Sequence, residues 1–158
     1  MDPRLIISYS TEPWAQVASN IYIGGTYKLV RLASGETDVV YNEPAGFPVV
    51  VSMAKCGAER WIKGVQHLGY AIADGPIEEK DTQPLLDIAA YVTMMAVSRG
   101  TKVLIRCRAG CNRSALVAAL AMICAGGKRE TVIEQIRSVR ACALSNEYYV
   151  RYIENGEL

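Results

Sequence analysis

The chain has 158 residues, of which 51% are hydrophobic and 21% charged, and its formal net charge is +1. That length suits one domain over residues 1–158 with a sizeable core, and the balanced charge excludes the global field of a nucleic-acid or membrane-surface binder. No apolar run approaches the ~18 residues of a membrane span. The opening Met1-Asp-Pro-Arg-Leu-Ile-Ile has no signal-peptide pattern, and five cysteines form an odd set without a regular framework, which favours free thiols and a cytoplasmic location.

In chain order, Leu5–Tyr9 and Asn20–Gly24 read as short strands. Thr26–Tyr41 fits neither the helical nor the strand period, and Gly35 interrupts it before Pro44. Pro48–Met53 is nearly all apolar, the pattern of a buried strand. Ala58–Lys63 suits a short helix and Leu68–Ile72 another strand, followed by the polar loop Asp74–Asp81 with Gly75 and Pro76. Asp81 or Thr82 can cap a long helix running to Ser98, with Gly100 ending it. A strand at 102–107 precedes helices at about 114–125, 129–140 and 146–155. Strands alternating with helices predict an α/β domain with a mainly parallel central sheet flanked by helices. The helix at 114–125 is apolar almost all round, so it belongs in the interior. Its N-terminus then sits at the carboxyl end of the sheet, where open α/β folds bind ligands.

The most informative stretch is Arg106-Cys-Arg-Ala-Gly-Cys-Asn-Arg-Ser114, which joins that strand to that helix. A strand, a tight glycine-containing loop and a helix make an anion cradle. Successive backbone N–H groups and the positive end of the helix dipole converge on one point. A thiol at the mouth of the cradle is favoured as thiolate and becomes a nucleophile. Arg113, at the far end of the loop, can fold back and grip two phosphoryl oxygens in a fork.

Cys107-x5-Arg113-Ser114 after a strand resembles the signature of the cysteine-dependent protein tyrosine phosphatases, most closely the small dual-specificity branch. Three weaker likenesses extend it over about residues 12–155. Tyr70-Ala-Ile-Ala-Asp74 is similar to the strand and loop that carry the family's general acid, and Trp14–Gly25 to its opening segment. Ile136–Tyr149, with Arg140 and Ser145-Asn146, is similar to its closing segment. The resemblance implies a dual-specificity phosphatase-like fold and a hydrolase working through a cysteinyl-phosphate, without a cofactor or metal. It casts Cys107 as nucleophile and the backbone of Arg108, Ala109, Gly110, Cys111, Asn112 and Arg113 as the phosphate cradle. Arg113 also binds the phosphoryl group by its side chain. Asp74 is the general acid, with Glu78, Glu79 and Asp81 as rivals in the same loop. Ser114 either assists departure of the thiolate or caps the helix.

One departure stands out: Arg106 occupies the place where the family has histidine, keeping a positive charge but not the imidazole's shape. Arg108 reads as a solvated arginine beside the loop, with attraction of acidic headgroups as the other reading. Cys111 and Cys56 are each either unreactive thiols or partners that trap oxidised Cys107. Cys124 and Cys142 read as core fillers. The expected activity is removal of phosphate from phosphotyrosine, and also phosphoserine or phosphothreonine, in a phosphorylated protein partner, with no nucleic-acid partner. The alternatives are a pseudophosphatase that binds phosphate without turnover, or the same chemistry on a phosphoinositide or an RNA 5′ phosphate.

Overall fold

The computed structural model describes residues 5–7, 13–55 and 63–156. Among the described residues, eight strands and four α-helices form two sheets and a helical layer. In chain order the strands are β1 (Leu5–Ile7), β2 (Trp14–Ala18), β3 (Ile21–Gly25), β4 (Tyr27–Arg31), β5 (Thr37–Tyr41), β6 (Val49–Ser52), β7 (Gln66–Gly69) and β8 (Val103–Cys107). The helices are α1 (Glu79–Thr93), α2 (Arg113–Cys124), α3 (Arg129–Val139) and α4 (Glu147–Asn155).

The main sheet has the order β2-β3-β8-β6-β7. All its pairs are parallel except the β2–β3 hairpin at one edge. The expected mainly parallel α/β sheet is therefore present. β8 and β6 lie in its middle and are buried at every position. A strand covered on both faces reads as a continuous apolar run, and Val103-Leu-Ile and Val49-Val-Val are such runs.

Side-chain alternation divides β8 between two cores. Val103, Ile105 and Cys107 join the large cluster beneath the helices, whereas Leu104 joins Val50 and Phe47 on the opposite face. Trp14 and Tyr22 close that second face, their rings meeting Phe47 edge-on at 5.6 and 5.0 Å. The same parity sends Arg106 to the second face, away from Cys107.

α2 is buried from Ser114 through Met122. It packs against α1, α3, α4 and the sheet, as its all-round apolar sequence requires. No helix among the described residues is long and apolar enough to cross a membrane.

Several element boundaries differ from the sequence reading. Thr26–Tyr41 is a β-hairpin: β4 and β5 pair antiparallel, with β1 on the far side of β4, as a separate three-stranded sheet. Gly35 sits near the tip of that hairpin at φ 89°. β2 is a strand that the sequence pattern did not single out. β7 begins and ends earlier than Leu68–Ile72. α1 starts at Glu79, so Asp81 lies inside the first turn rather than capping it. Its carboxylate instead accepts from the Tyr70 hydroxyl at 2.7 Å. After Thr93 the helix widens into a π turn over Met94–Ser98, and Gly100 (φ 61°) leads the chain out. The short helix expected over Ala58–Lys63 falls, save for Lys63, outside the described residues, as does Cys56.

Candidate active site

The loop between β8 and α2 is held open by bonds to its carbonyls. Thr26 N–H donates to Cys107 O at 2.9 Å and Arg108 O at 3.1 Å. The Arg140 guanidinium donates to Ala109 O at 3.2 Å and Gly110 O at 2.7 Å. Leu144 N–H takes Cys111 O at 2.9 Å, and Leu116 N–H takes Asn112 O at 2.8 Å. Every carbonyl from Cys107 to Asn112 is thus engaged by a donor outside the loop or further along the helix. Because C=O and N–H point in opposite directions across a trans peptide, the N–H groups of Arg108–Arg113 are turned the other way, toward a common centre.

Gly110 makes this curvature possible. Its φ is 71°, and a Cβ there would overlap the backbone of Gly24 and Gly25. The loop therefore lies directly on the end of β3, which only a glycine permits.

Cys107 is buried at the end of β8, and its Sγ donates to Ser114 Oγ at 3.4 Å. When the sulfur is ionised, the hydroxyl becomes the donor. The helix N-cap is Asn112, not Ser114. Ser114 stands in the first turn, fully buried, with its hydroxyl committed to the sulfur. Arg113 lines the same cavity as Cys107, and its Nη1 donates to Ile72 O at 3.0 Å. Its Nε is buried and has no partner in the protein. A buried guanidinium N–H left unpaired is costly unless an anion meets it.

Asp74 reaches the same cavity from the other side. This cavity, roughly 460 Å³, is lined by Asp74, Cys107, Arg108, Ala109, Cys111, Asn112, Arg113, Cys142 and Ser145. The Asp74 carboxylate accepts from Asn112 Nδ2 at 3.1 Å and from Asn146 Nδ2 at 2.8 Å. The loop segment that carries it is fixed by the Tyr149 hydroxyl, which donates to Ala73 O at 2.8 Å. Burial, reinforced by the negative charge of Asp74, pushes the Tyr149 phenol well above its ordinary range, so it remains a neutral donor. The rivals to Asp74 lie elsewhere. Asp81 is buried against Tyr70, Glu78 pairs with Lys80 at 2.9 Å on the surface, and Glu79 begins α1.

Arg106 does not sit beside the thiol. It is buried on the opposite sheet face, and its Nε donates to Ser52 Oγ at 2.9 Å. Arg108 is exposed at the cavity rim, yet it is not simply solvated. Its guanidinium lies over the Tyr27 ring at 5.6 Å, tying the rim to the three-stranded sheet.

The cysteines depart from the sequence reading. Cys111 and Cys142 form a disulfide across a sequence separation of 31, with Cα atoms 5.3 Å apart. Free thiols throughout, and Cys142 as a core filler, are therefore both corrected. Cys107 and Cys124 are free, and Cys124 is exposed at the end of α2 rather than in the core. The tertiary fold lays the signature loop against the turn after α3, and nothing local to either cysteine announces that meeting.

Arg140 and Asn146 also border the candidate site, and sequence reasoning treated them only as parts of a segment. Arg140 is buried beneath the loop; burial lowers its pKa, and the negative charge of Cys107 acts against that. Asn146 caps α4, its side chain accepting from Tyr148 N–H at 3.0 Å while its amide serves Asp74. The cap signal, Asn before Glu147, was visible; the second role was not.

No protein-family model matches the chain, and no curated protein matches it in sequence. Solved structures do match in shape. A mouse protein described as a dual-specificity phosphatase, complexed with zinc tungstate, superposes with a TM-score of 0.71. The two share 24% identity over 94% of this chain and 88% of that one. Human DUSP28 gives a TM-score of 0.67 at 20% identity, over 94% of this chain and 97% of its own. PTPMT1 in complex with PI(5)P gives 0.68 at 14%, over 91% and 94%. With β8, the loop and α2 in this arrangement, the chain has the fold of the dual-specificity phosphatases.

Proposed function

We propose that the protein is a cysteine-dependent phosphatase acting on phosphorylated proteins through a cysteinyl-phosphate intermediate. One observation carries the reading. Cys107, Arg113, Asp74 and the residues of the loop between β8 and α2 line one cavity, and Arg113 Nε is buried without a partner in the protein.

In the first step the Cys107 thiolate attacks phosphorus and the bond to the leaving oxygen breaks. Asp74 delivers its proton to that oxygen, so the product leaves as an alcohol or phenol. The charge spread over the three equatorial oxygens meets the backbone N–H groups, the α2 dipole and the Arg113 fork. In the second step Asp74 accepts a proton from water as its oxygen bonds to phosphorus. The sulfur–phosphorus bond breaks, and the departing thiolate accepts a hydrogen bond from Ser114 Oγ.

Arg106 lies on the other face of β8, bonded to Ser52, so its charge does not meet the sulfur directly. The turnover test that follows separates this reading from the pseudophosphatase alternative.

The test is hydrolysis of 4-nitrophenyl phosphate by the wild type and by Cys107→Ser. Turnover should be present in the first and fall about 10⁵–10⁶-fold in the second, the scale for loss of a nucleophile. Vanadate or phosphate binding should survive in the mutant. An inactive wild type that still binds vanadate would leave a phosphate-binding module as the better reading. A panel of phosphopeptides, phosphoinositides and RNA 5′ phosphates then ranks the substrate classes.

A further inference from the structure

The side chain of Asn112 stands at a junction that the reaction described above does not use. The residue's backbone belongs to the phosphate loop and caps α2. Its side chain faces elsewhere. Nδ2 donates to Asp74 Oδ2 at 3.1 Å. Oδ1 accepts from Ser145 Oγ at 3.1 Å and from Asn146 N–H at 3.0 Å.

These contacts fix the orientation of the amide. Two donors converge on one edge, so that edge is the oxygen, and the NH₂ group has to face the carboxylate. Asn146 holds the other carboxylate oxygen, Oδ1, and also reaches Gly75 O at 3.2 Å. Asp74 itself is exposed and begins a Gly-Pro loop, so its own segment does little to aim it. Its aim comes from outside, and one of its two holders is part of the phosphate loop.

We propose that Asn112 is a positioning residue: its side-chain amide locks Asp74 in register with the bound phosphoryl group, so that proton transfer to the leaving oxygen, but not phosphate binding, depends on it. This rests on the reading of Asp74 as general acid. The physical reason is distance. Proton transfer needs the carboxyl within hydrogen-bond reach of the leaving oxygen, and a displacement of about 1 Å can cost 10²-fold in rate. The phosphate is held by backbone N–H groups and Arg113, which the Asn112 side chain does not supply. Substrate and acid are thus referenced to the same residue, one through its main chain and the other through its amide.

The experiment uses two leaving groups. Phenyl phosphate needs its leaving oxygen protonated; 4-nitrophenyl phosphate needs this far less. Asn112→Ala should lower kcat on phenyl phosphate by about 10- to 100-fold. On 4-nitrophenyl phosphate the loss should be at least about tenfold smaller, and the ratio of the two losses is the readout. In an Asp74→Asn background the same substitution should add almost nothing, because two residues serving one step do not add.

Equal losses on both substrates, or a loss that persists in the Asp74→Asn background, would overturn the proposal while leaving the acid in place. An Asp74→Asn enzyme without leaving-group dependence would overturn the acid assignment and this proposal together. If Asn112→Ala loses vanadate binding, Asn112→Ser becomes the deciding variant. It keeps a small, uncharged polar side chain at the end of the loop but is too short to reach Asp74. It should show the leaving-group signature with vanadate binding retained; wild-type behaviour would refute the role.

Discussion

Two regions border the candidate site and they are built in opposite ways. The β8–loop–α2 unit is buried along almost its whole length and is fastened from several directions: by Thr26 just after β3, by Arg140 and Leu144 from the turn after α3, and by the Cys111–Cys142 disulfide. The three-stranded sheet stands beside it with β5 largely exposed, Tyr41 and Val39 among its outward residues. Its side-chain reach to the site is the Tyr27 ring under Arg108. An anion cradle has to hold its donors within tenths of an ångström before the substrate arrives, and only core packing supplies that. A rim that merely meets the remainder of a substrate tolerates a lightly anchored sheet. Damage to the first region should therefore strike chemistry, and damage to the second should strike apparent affinity.

The sharpest test of that division is Arg113→Ala. It removes a fork that no neighbour replaces, so kcat/KM should fall by about 10³-fold, the upper scale for losing one transition-state donor. Vanadate affinity should fall with it. Retention of normal vanadate binding would remove Arg113 from the cradle and with it much of the contrast between the two regions.

Next in size is the covalent strap. Cys142→Ser, or reduction of the wild type by a dithiol, releases a loop closed across 31 residues. The chain-entropy estimate for such a closure is about 3–4 kcal/mol. The urea midpoint should drop accordingly, and reductant should have no further effect on the mutant. Coincident midpoints for oxidised and reduced wild type would mean that the hydrogen bonds of Arg140 and Leu144 hold the loop unaided.

A smaller effect is expected at the rim. Tyr27→Ala deprives Arg108 of its ring, a contact of about 0.5–1 kcal/mol at an exposed site. KM for an acidic phosphopeptide should change by about two- to fivefold, while kcat on 4-nitrophenyl phosphate stays within error. A matching loss of kcat on the small substrate would mean that the small sheet supports the cradle itself, and the two regions would have to be treated as one.

The smallest effect belongs to Arg106→His. The side chain lies on the far face of β8, bonded to Ser52. The iodoacetamide inactivation rate of Cys107 against pH should therefore keep its shape, with rates within about threefold. A displaced profile would show that charge on the second face reaches the sulfur through the strand.

How much of this was legible in the chain follows from how far apart the determinants lie. Strand 102–107, the glycine loop and the apolar helix at 114–125 are contiguous, and each carries its own local signal: a β-rich apolar run, a glycine, an all-round hydrophobic helix. Their adjacency is guaranteed by the covalent chain, so the place of Cys107 at the strand end, of Arg113 at the helix start and of the loop between them could be read from the residues alone. Asp74 was nearly as accessible, because it directly follows an apolar segment, although the segment itself was placed too late. The β4–β5 hairpin was not accessible. Its second strand lacks a buried face, and without one no period of two is imprinted on the residues.

What the tertiary structure decided are the meetings across the fold. Arg106 and Cys107 are neighbours in sequence and on opposite faces in space; which face each takes is set by the pairing of β8 with β3 and β6. Arg140, Cys142 and Asn146 look ordinary in the chain, a helix-end arginine, a stray cysteine and a cap. They become the underside of the loop, its strap and the holder of Asp74 only because α3 and α4 pack around α2. Local patterns report what a residue's immediate neighbours require. A buried arginine's carbonyl partners, or a disulfide's second half, are chosen by packing between elements 30 or so residues apart, and no local signal encodes that choice.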